Sequence, residues 1–529
     1  MANSLPLQGY PANRPLGYAA VQSSALIGLS AHLITVEVCC NRGPPAFQMV
    51  GLPEAPVREA RVRVASALAT LGVLLDEYSI TVNLAPADLP KSGATLDLAL
   101  ALGILGALGR VPAERLADLL VLGELSLDGS LSPLRGLLPQ LGGVSSASAL
   151  TAIVPSRNAR EAGLLERGRV LLAGDLAAVA AHLNGEGTLS APPPTPFHPG
   201  VDLSVQGDLS SVCGQAGARR AIEIAAAGSH NLLLMGPPGA GKTLLARLLG
   251  TILPPLTFDE ALETTAIHSV AGLLSAEKGI VEVRPFRAPH HSVSEAGLVG
   301  GGTSPRPGEV SLAHNGVLFL DEFAEFRRGA LESLRQPLED GKVCIARARA
   351  RAWFPARPLV VGAMNPCPCG YRSAEPPSPL CRCLPGQIAR YRQKLSGPLL
   401  DRLDVHVLLR PVDLRSLSRS GDSESSSTVR ARVIAARERQ LARLRARSTS
   451  RRTNAELPLD ELKRITRLDT ESRNLLEAAA AQLALSARAF VKVLRVARTI
   501  ADLENEPAVR APHVSEAILG RILDQPSRG

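Results

Sequence analysis

The sequence predicts an α/β protein: a core built on a parallel sheet, with mixed α and β structure before it and helices after it. Three observations support this class. The octapeptide GPPGAGKT at 236–243 stands between an apolar run and a helical pattern, a second apolar run ends in Asp321 and Glu322, and residues 429–525 have helical periodicity. Short apolar strands separated by helical segments form parallel sheets.

The octapeptide matches the phosphate-binding pattern G-x-x-x-x-G-K-[ST] in the strand–loop–helix context that the pattern requires. Backbone amides of such a loop turn toward phosphates at a helix N-terminus. Its lysine reaches the β- and γ-phosphates and its threonine ligates Mg²⁺. The competing interpretation is a plain turn before a helix. We predict a site for ATP and Mg²⁺ formed by Gly236, Pro237, Pro238, Gly239, Ala240, Gly241, Lys242 and Thr243.

The second half of the predicted site is the acidic pair. Val317–Leu320 is a short apolar run typical of a buried parallel strand, and Asp321 and Glu322 follow it directly. A carboxylate at this end of a strand faces the crevice of a doubly wound sheet. We therefore expect Asp321 to hold Mg²⁺ and Glu322 to polarise the attacking water; the alternative is a solvated acidic pair.

Length and composition narrow the class of protein. A chain of 529 residues suggests three or four domains, and it has no apolar run of 18 residues that could span a membrane. The first 22 residues, rich in Pro and Gly, do not follow the pattern of a secretory signal, and four of the eight cysteines crowd between 367 and 383. We expect a soluble, cytoplasmic protein.

The positive charge is concentrated in the second part of the chain. Residues 1–207 carry 13 Lys and Arg against 16 Asp and Glu, and the remainder carries 45 against 33, so the net charges are −3 and +12. A basic segment of this kind suits a polyanion such as DNA. An Arg-rich, high-GC composition would produce the same excess.

Changes in composition suggest boundaries between segments. A Pro/Gly/Ser-rich linker at 185–207 separates the first two, and a Ser-rich stretch at 411–428 separates the last two. We predict a leader at 1–22, a first domain at 23–184, a nucleotide-binding core at 208–410 with a cysteine loop at 366–384, and a helical domain at 429–529.

Patterns within these segments give local predictions. Residues 34–38 and 79–84 alternate as strands do, and residues 53–72 have the spacing of an amphipathic helix. Residues 429–452 contain nine arginines and one glutamate, which predicts a solvated helix face or, less directly, a DNA contact.

Four closely spaced cysteines could form a zinc site: Cys367, Cys369, Cys381 and Cys383. Reduced loop cysteines and a redox disulfide are the alternatives.

With these features in place, the chain resembles the AAA+ superfamily and, more narrowly, the Mg-chelatase-like ATPases of the ComM/YifB family. The resemblance extends over nearly the whole chain from about Ala25. It rests on five strings that are much more specific than the phosphate loop alone: GLPEA at 51–55, ITVNLAPADLPK at 80–91, RPFRAPHH at 284–291, AMNPCPCG at 363–370 and SGPLLDR at 396–402.

The resemblance implies a fold and roles for residues. The fold is an AAA+ core with a helical lid, preceded by an α+β Lon-protease-like domain of the ribosomal S5 domain 2 type. Asn365, at the end of the apolar stretch 358–364, matches the polar residue beside the attacking water, with a plain turn residue as the alternative. Arg402 matches the arginine finger that enters a neighbouring subunit, with an ion pair to Asp401 or Asp404 as the alternative. Arg488 matches the lid arginine, with Arg495 and Arg498 as competitors.

The same resemblance places two insertions, 275–302 and 341–357, near the pore of a hexameric ring. The second alternates apolar residues with arginines, as a β-hairpin arm would, and could contact phosphates along one face; a solvated hairpin is the alternative. Adjacent His290 and His291 would point to opposite faces of a strand and not share a metal. Their role stays open.

In the Lon-like domain the proteolytic serine position holds Thr95 and the lysine position holds Leu138. Without the lysine nothing there activates a nucleophile, so we expect no protease activity.

The resemblance implies an ATP-driven hexamer that acts on branched or single-stranded DNA, as a helicase for branch migration in homologous recombination during natural transformation, and recombination proteins as further partners. The alternatives are a metal-chelatase motor and a protein-remodelling or regulatory ATPase. Chelatase systems use D-x-S-x-S, which occurs here at 128–132, within a hairpin-like stretch of the first domain.

Overall fold

The computed structural model describes residues 17–521 except for 92, 146–149, 166–168, 202–206, 276, 303–304, 348–349, 373–379, 412–422, 446–451 and 484. The predicted leader at 1–22 therefore lies largely outside the described residues, as does most of the Ser-rich stretch at 411–428. The predicted limit at 22 was wrong, because residues 17–22 belong to the first strand of the sheet. None of the described helices is both long enough and apolar enough to cross a membrane.

The first part of the chain is a seven-stranded mixed sheet covered by helices. Its strands are β1 (Gly17–Ile27), β2 (Ser30–Arg42), β3 (Ala46–Val50), β4 (Tyr78–Ala85), β5 (Leu119–Val121), β8 (Thr151–Pro155) and β9 (Arg169–Ala173), with a two-stranded pair β6 (Glu124–Leu125) and β7 (Leu131–Ser132). The helices are α1 (Ala55–Thr70), α2 (Asp97–Ala107), α3 (Leu137–Ser145), α4 (Ala159–Ala162) and α5 (Leu176–Asn184). The strand order is β3-β4-β2-β1-β5-β8-β9.

The predicted elements of this part are confirmed, with longer strands. The stretch expected at 34–38 is the middle of β2, and that at 79–84 is β4, which pairs with β2 in antiparallel fashion. The predicted amphipathic helix is α1, which buries Val57, Ala60, Val64 and Leu68. Gly72 follows it with φ of +73°, a conformation that glycine adopts without strain. Helix α2 is buried on every side because its sequence is apolar all round.

The central part is built on a five-stranded parallel sheet. Its strands are β10 (Leu232–Met235), β11 (Phe286–Arg287), β14 (Val317–Leu320), β17 (Leu359–Met364) and β18 (Val405–Leu408), in the order β11-β14-β17-β10-β18. The inner strands β14, β17 and β10 are buried along their full length, as parallel strands covered on both faces are. Register pairs Leu232 with both Val361 and Val405, so the carboxyl ends of these strands meet at one edge.

The other elements of the central part surround this sheet. The helices are α6 (Ala216–Gly228), α7 (Lys242–Ile252), α8 (Phe258–Ala271), α9 (Glu295–Val299), α10 (Glu309–Leu312), α11 (Arg328–Ser333), α12 (Arg335–Asp340), α13 (Pro385–Arg392) and α14 (Gly397–Leu400). Two hairpins project from it: β12 (Gly300–Gly301) with β13 (Arg306–Pro307), and β15 (Lys342–Arg347) with β16 (Ala350–Pro355). The predicted β-hairpin at 341–357 is thereby confirmed.

The last part is helical, as predicted. It comprises α15 (Ser426–Arg445), α16 (Leu459–Thr466), α17 (Thr470–Gln482), α18 (Ala487–Leu503) and α19 (Ala511–Leu519). The apolar faces of α15 and α18 join the hydrophobic core of the central sheet through residues such as Val433, Val493 and Ile500, all buried. The helical part is therefore continuous with the core.

Both interpretations of the arginine run were wrong for most of its described members. Arg437 donates to the carbonyl of Ala226, and Arg443 forms a bidentate pair with buried Asp502. Four further arginines bond to core carbonyls or carboxylates: Arg430, Arg432, Arg439 and Arg452. These side chains fasten α15 and the segment after it to the core, because guanidinium groups satisfy several acceptors at once.

Candidate nucleotide-binding site

The phosphate loop connects β10 to α7 at the carboxyl edge of the parallel sheet. Gly239 and Gly241 have φ of +75° and +86°, which only glycine adopts readily, and open space lies where a side chain would project. Helix α7 begins at Lys242, so its free amide groups face the loop. The geometry is that of a cradle for anions at a helix N-terminus.

Lys242 is held within the loop and beside the end of a neighbouring strand. Its Nζ donates to the carbonyl oxygens of Gly236 at 2.8 Å and Pro237 at 2.9 Å, and to Oδ1 of Asn365 at 3.1 Å. Burial lowers the pKa of this amine. Asn365 directly follows β17, so the structure brings the predicted polar residue to the predicted lysine.

Thr243, in the first turn of α7, is in contact with Asp321, which follows β14. The Thr243 hydroxyl donates to Oδ2 of Asp321 at 2.9 Å. A hydroxyl and a carboxylate at this distance are the oxygen donors that Mg²⁺ takes beside triphosphate oxygens. The donor set therefore fits the predicted metal.

Glu322 has an unusual backbone and a partner that the sequence did not indicate. Its φ of +50° is in the left-handed region, which costs a non-glycine residue energy and is enriched at functional sites. One carboxylate oxygen lies 2.9 Å from Nδ1 of His291. The ring of adjacent His290 is tilted by 35° against that of His291, with centroids 4.0 Å apart, and bonds to Ser292 instead. The two histidines lie beyond the end of β11 and not on a strand, so the expectation that they point to opposite faces was wrong.

Arg402 lies at the amino ends of the parallel strands, opposite the carboxyl ends that carry the phosphate loop. It precedes β18, and its carbonyl accepts a hydrogen bond from Asn231, the residue before β10. The phosphate loop follows the other end of β10, so the two features are separated by the length of that strand. Arg402 is paired with Glu339, and Arg488 lies 3.7 Å from the same side chain. Both arginines line a cleft of about 950 Å³ between the core and α18.

A buried ionic cluster fixes the segment that carries Arg402. Asp404 accepts from Lys492 of α18 at 2.8 Å and from the backbone amide of Asn231 at 2.8 Å. His230 lies against Asp404 and bonds to Thr499, and burial lowers the pKa of this histidine to about 4. The bonds from Lys492 and Asn231 to Asp404 hold this segment in place, while Nδ1 of His230, 4.0 Å from Asp404, has no hydrogen-bond partner among the described residues. Nothing in the sequence signalled that Lys492 and Asp404 would meet.

The contacts of Arg402 and of the three candidate lid arginines distinguish the alternatives that the sequence left open. Arg402 pairs with Glu339, so the expected alternative of an ion pair with Asp401 or Asp404 was wrong. Arg495 donates to the carbonyl of Leu457, and buried Arg498 pairs with Asp502. Of the three lid candidates, Arg488 is the one whose pairing places its guanidinium beside that of Arg402.

The cysteine loop brings its four thiols together. The sulfur atoms of Cys367, Cys369 and Cys381 lie 3.4–3.7 Å from one another, and that of Cys383 lies within 4.8 Å of all of them. The loop also packs on the phosphate loop: a Cβ added to Gly370 would lie 2.7 Å from Cδ of Pro238. The cluster is therefore adjacent to the nucleotide site.

Two further motifs of the first part form local contacts. Leu138 is buried on α3 with its amide bonded to Glu161, so an apolar side chain occupies the lysine position. Asp128 of the D-x-S-x-S stretch accepts from the amide and hydroxyl of Ser130 in the β6–β7 turn. These local bonds are those of an Asx turn.

Comparisons with known proteins agree with the geometry. Family models described as "Magnesium chelatase, subunit ChlI", "Subunit ChlI of Mg-chelatase" and "Magnesium chelatase, subunit ChlI C-terminal" match residues 208–417, 36–158 and 423–521. The chain is 43% identical to "Uncharacterized protein YifB" of Escherichia coli (96% of this chain and 98% of that protein). It is also 43% identical to "Competence protein ComM" of Haemophilus influenzae (95% and 97%). A local match to "Lon protease 2" of Bacillus subtilis is 30% identical over 26% of each protein.

Proposed function

The chain belongs to the Mg-chelatase-like AAA+ ATPase family that includes YifB and ComM, and on that premise we propose that it is a ring-shaped ATPase that moves branched DNA. The name of the ComM relative links that protein to competence, which supports a role for this chain in branch migration during natural transformation. The observation that carries the proposal is the separation of Arg402 from the phosphate loop along β10. A catalytic arginine so placed can act only on a neighbouring subunit, which requires at least a dimer, and we propose a hexameric ring.

We propose the following roles within one composite site. The loop amides and Lys242 bind the β- and γ-phosphates, while Asn365 and Glu322 orient and deprotonate the attacking water. Mg²⁺, held by Thr243 and Asp321, would neutralise charge on the phosphate oxygens. The neighbouring subunit contributes Arg402, with Arg488 beside it, to stabilise the charge that develops on the γ-phosphate.

The proposed limits of the domains follow the sequence analysis except at two ends: a non-proteolytic Lon-like domain from Gly17, where β1 begins, to 184, an AAA+ core at 208–410 and a helical lid from Ser426, where α15 begins. The matches of the family models at 36–158, 208–417 and 423–521 support this division.

The DNA-contacting surface that we propose is the exposed part of the β15–β16 hairpin near its turn. Val343, Ile345, Ala352 and Phe354 are buried, and Arg347 and Arg351 are exposed closer to the turn, on opposite faces of the hairpin. Trp353 is 45% exposed on the same hairpin, where Nζ of Lys342 lies 4.5 Å from its ring centroid. Arginines can neutralise phosphates, and an exposed indole can stack on an unpaired base.

We predict that DNA stimulates ATP hydrolysis and that this hairpin mediates the effect. Rates at low salt with no DNA, single strands, duplex and four-way junctions should rank the junction highest. Arg347→Ala with Arg351→Ala should lower the slope of log affinity against log salt by about 1.8 on duplex, since each lost phosphate contact removes about 0.9. Arg473→Ala, an exposed arginine of α17, is the matched control.

The proposal is wrong if wild-type protein hydrolyses ATP but neither binds DNA nor responds to it at low salt. Stimulation by a captured protein partner larger than that by DNA would instead support a protein-remodelling ATPase. If the double variant has an unchanged slope of log affinity against log salt, the DNA contact lies elsewhere than on this hairpin.

We also propose that the four-cysteine cluster binds zinc. In a tetrahedron with Zn–S bonds of about 2.3 Å, neighbouring sulfurs are about 3.8 Å apart. The observed separations of 3.4–3.7 Å approach this value and exceed by far the roughly 2.05 Å of a disulfide. Amides of Tyr371 and Arg382 point at the sulfur of Cys369, as amides around metal-bound thiolates do.

Elemental analysis tests the zinc site. Full-length protein purified without chelator should contain close to one zinc per chain, and Cys381→Ser should lose most of it and melt at a lower temperature. Cys213→Ser, which changes a cysteine outside the cluster, should retain both zinc and melting temperature. Less than about 0.3 zinc per wild-type chain would contradict the assignment.

A further inference from the structure

Two of the three most exposed large apolar side chains among the described residues lie in the cysteine loop. Leu380 is 83% exposed and Leu384 is 67% exposed, directly before and after residues 381–383. We propose that both leucines dock into the cleft of a second copy of this chain, the cleft that is lined by Arg402 and Arg488. This inference rests on the proposed action of Arg402 in a neighbouring subunit.

The backbone beside each leucine is anchored. The sulfur of Cys381, which follows Leu380, lies 3.7 Å from that of Cys367 and 3.6 Å from that of Cys369. The amide of Leu384, the residue before α13, donates to Oε1 of Gln387 at 3.0 Å. Single exposed apolar side chains are common on protein surfaces, but two on one anchored loop offer a partner a defined apolar contact.

The cysteine loop lies where the arginine of a neighbouring subunit must arrive. Gly370 of this loop packs on Pro238 of the phosphate loop, and Asn365, which directly precedes the cysteine loop, bonds to Lys242. A neighbour that places Arg402 at the γ-phosphate therefore also brings the surface around Arg402 against the cysteine loop. Different surfaces of the two copies meet in such a heterologous contact, and contacts of this type build closed rings.

The cleft has the room and the lining for two leucine side chains. Its volume is about 950 Å³, more than two leucines fill, and its apolar lining includes Pro337, Leu338 and Val491. Leu338 and Val491 are only half-buried in the single copy, so part of this apolar surface is open to a partner. Burial of the leucines against it would remove apolar surface of both copies from water, which favours association.

Ionic contacts can add to this apolar contact. Arg382 is exposed between the two leucines of the loop, and Asp340 and Asp401 line the cleft. Glu339 would join these carboxylates once Arg402, its partner in the single copy, turns to the phosphate of the neighbour. Opposite charges across an interface raise the rate of association and select the correct partner.

Photo-crosslinking tests which surface the loop contacts. Full-length protein with Leu380→p-benzoylphenylalanine is irradiated with ATP and four-way DNA, and crosslinked peptides are identified by mass spectrometry. We expect attachment to a second copy within residues 337–341, 401–404 or 487–495, which line the cleft. The same replacement of Leu74, which is 64% exposed in the first domain, should give no attachment there. Attachment of position 380 to DNA, to its own chain or to another surface of the second copy would overturn the proposal.

Leu380→Asp with Leu384→Asp measures what the contact contributes to assembly. The protomer concentration that gives half-maximal ATP turnover should rise at least about tenfold, since burial of one leucine already changes an association constant by about that factor. ATP affinity and melting temperature should stay unchanged, because both side chains are exposed. Leu74→Asp should behave like wild type in all three measurements. If the double variant keeps the concentration dependence of wild type, the leucines do not dock on another copy.

The outcomes separate this inference from the proposed function. If Arg402→Ala and Glu322→Gln protomers restore each other's activity in mixed rings but the crosslink from position 380 lies outside the cleft, the shared ATPase site stands and the docking is wrong. Full turnover by an isolated wild-type protomer would refute both the shared site and the docking.

Discussion

Replacement of Arg402 by alanine is expected to lower ATP turnover by about 10³-fold, the lower end of the effect of arginine fingers. The side chain cannot reach the phosphate loop of its own subunit, because it lies before β18 whereas the loop follows β10. Its loss should therefore remove charge stabilisation in the adjacent subunit while nucleotide binding in its own site persists. Steady-state phosphate release, with ring assembly followed by light scattering, measures the effect.

A mixing experiment shows whether the arginine acts in trans. Rings of Arg402→Ala alone and of Glu322→Gln alone should both be inactive. In a random one-to-one mixture, about a quarter of the sites would combine an intact Glu322 with an intact neighbouring Arg402, so about a quarter of the wild-type rate should return. No recovery in mixed rings, or full turnover by an isolated wild-type protomer, would refute the shared site.

Lys242→Ala and Glu322→Gln are expected to fail at different steps. Each charge-assisted hydrogen bond from Lys242 to a phosphate contributes about 1.5–3 kcal/mol, so its loss should weaken ATP binding by at least about tenfold. Glu322→Gln should bind ATP normally, because the role we propose for Glu322 is to activate water and not to bind phosphate, and it should slow hydrolysis by about 10²–10⁴-fold. Titration with a fluorescent ATP analogue and single-turnover hydrolysis separate the two effects.

Lys394→Ala is the matched control for Lys242, since Lys394 pairs with Glu325 at the surface and has no proposed contact with nucleotide. Unaltered ATP affinity in Lys242→Ala would refute the assignment of residues 236–243 as the loop that binds the phosphates of ATP. Loss of ATP binding in Glu322→Gln would mean that this carboxylate stabilises the phosphate loop and does not activate the attacking water.

The motifs with local meaning were predicted well. The strand–loop–helix around Lys242, the acidic pair after β14 and the asparagine after β17 all depend on short apolar runs and the residues that follow them. Parallel strands bring such residues to one edge, so Lys242 and Asn365 had to be neighbours once the order of strands was known. The β15–β16 hairpin was also predictable, because alternation within a strand is a local signal.

Contacts between distant side chains were not predictable from one sequence. The arginine run was expected to face solvent or DNA, yet Arg437 and Arg443 bond to the core, because acceptors on α6 and α18 lie opposite them in the fold. A run of charges along a chain indicates a helix face and does not say what that face meets. The same applies to Glu339, which brings Arg402 and Arg488 together.

The order of residues along the chain determined the phosphate loop, the acidic strand end and the sequence of segments, since each is encoded within a dozen neighbouring positions. Only the tertiary structure decided that Arg402 lies a strand's length from Lys242, that the loop with the four thiols packs on Pro238, and that His291 contacts Glu322. These relations arise where separate elements pack together, and packing depends on the whole chain at once.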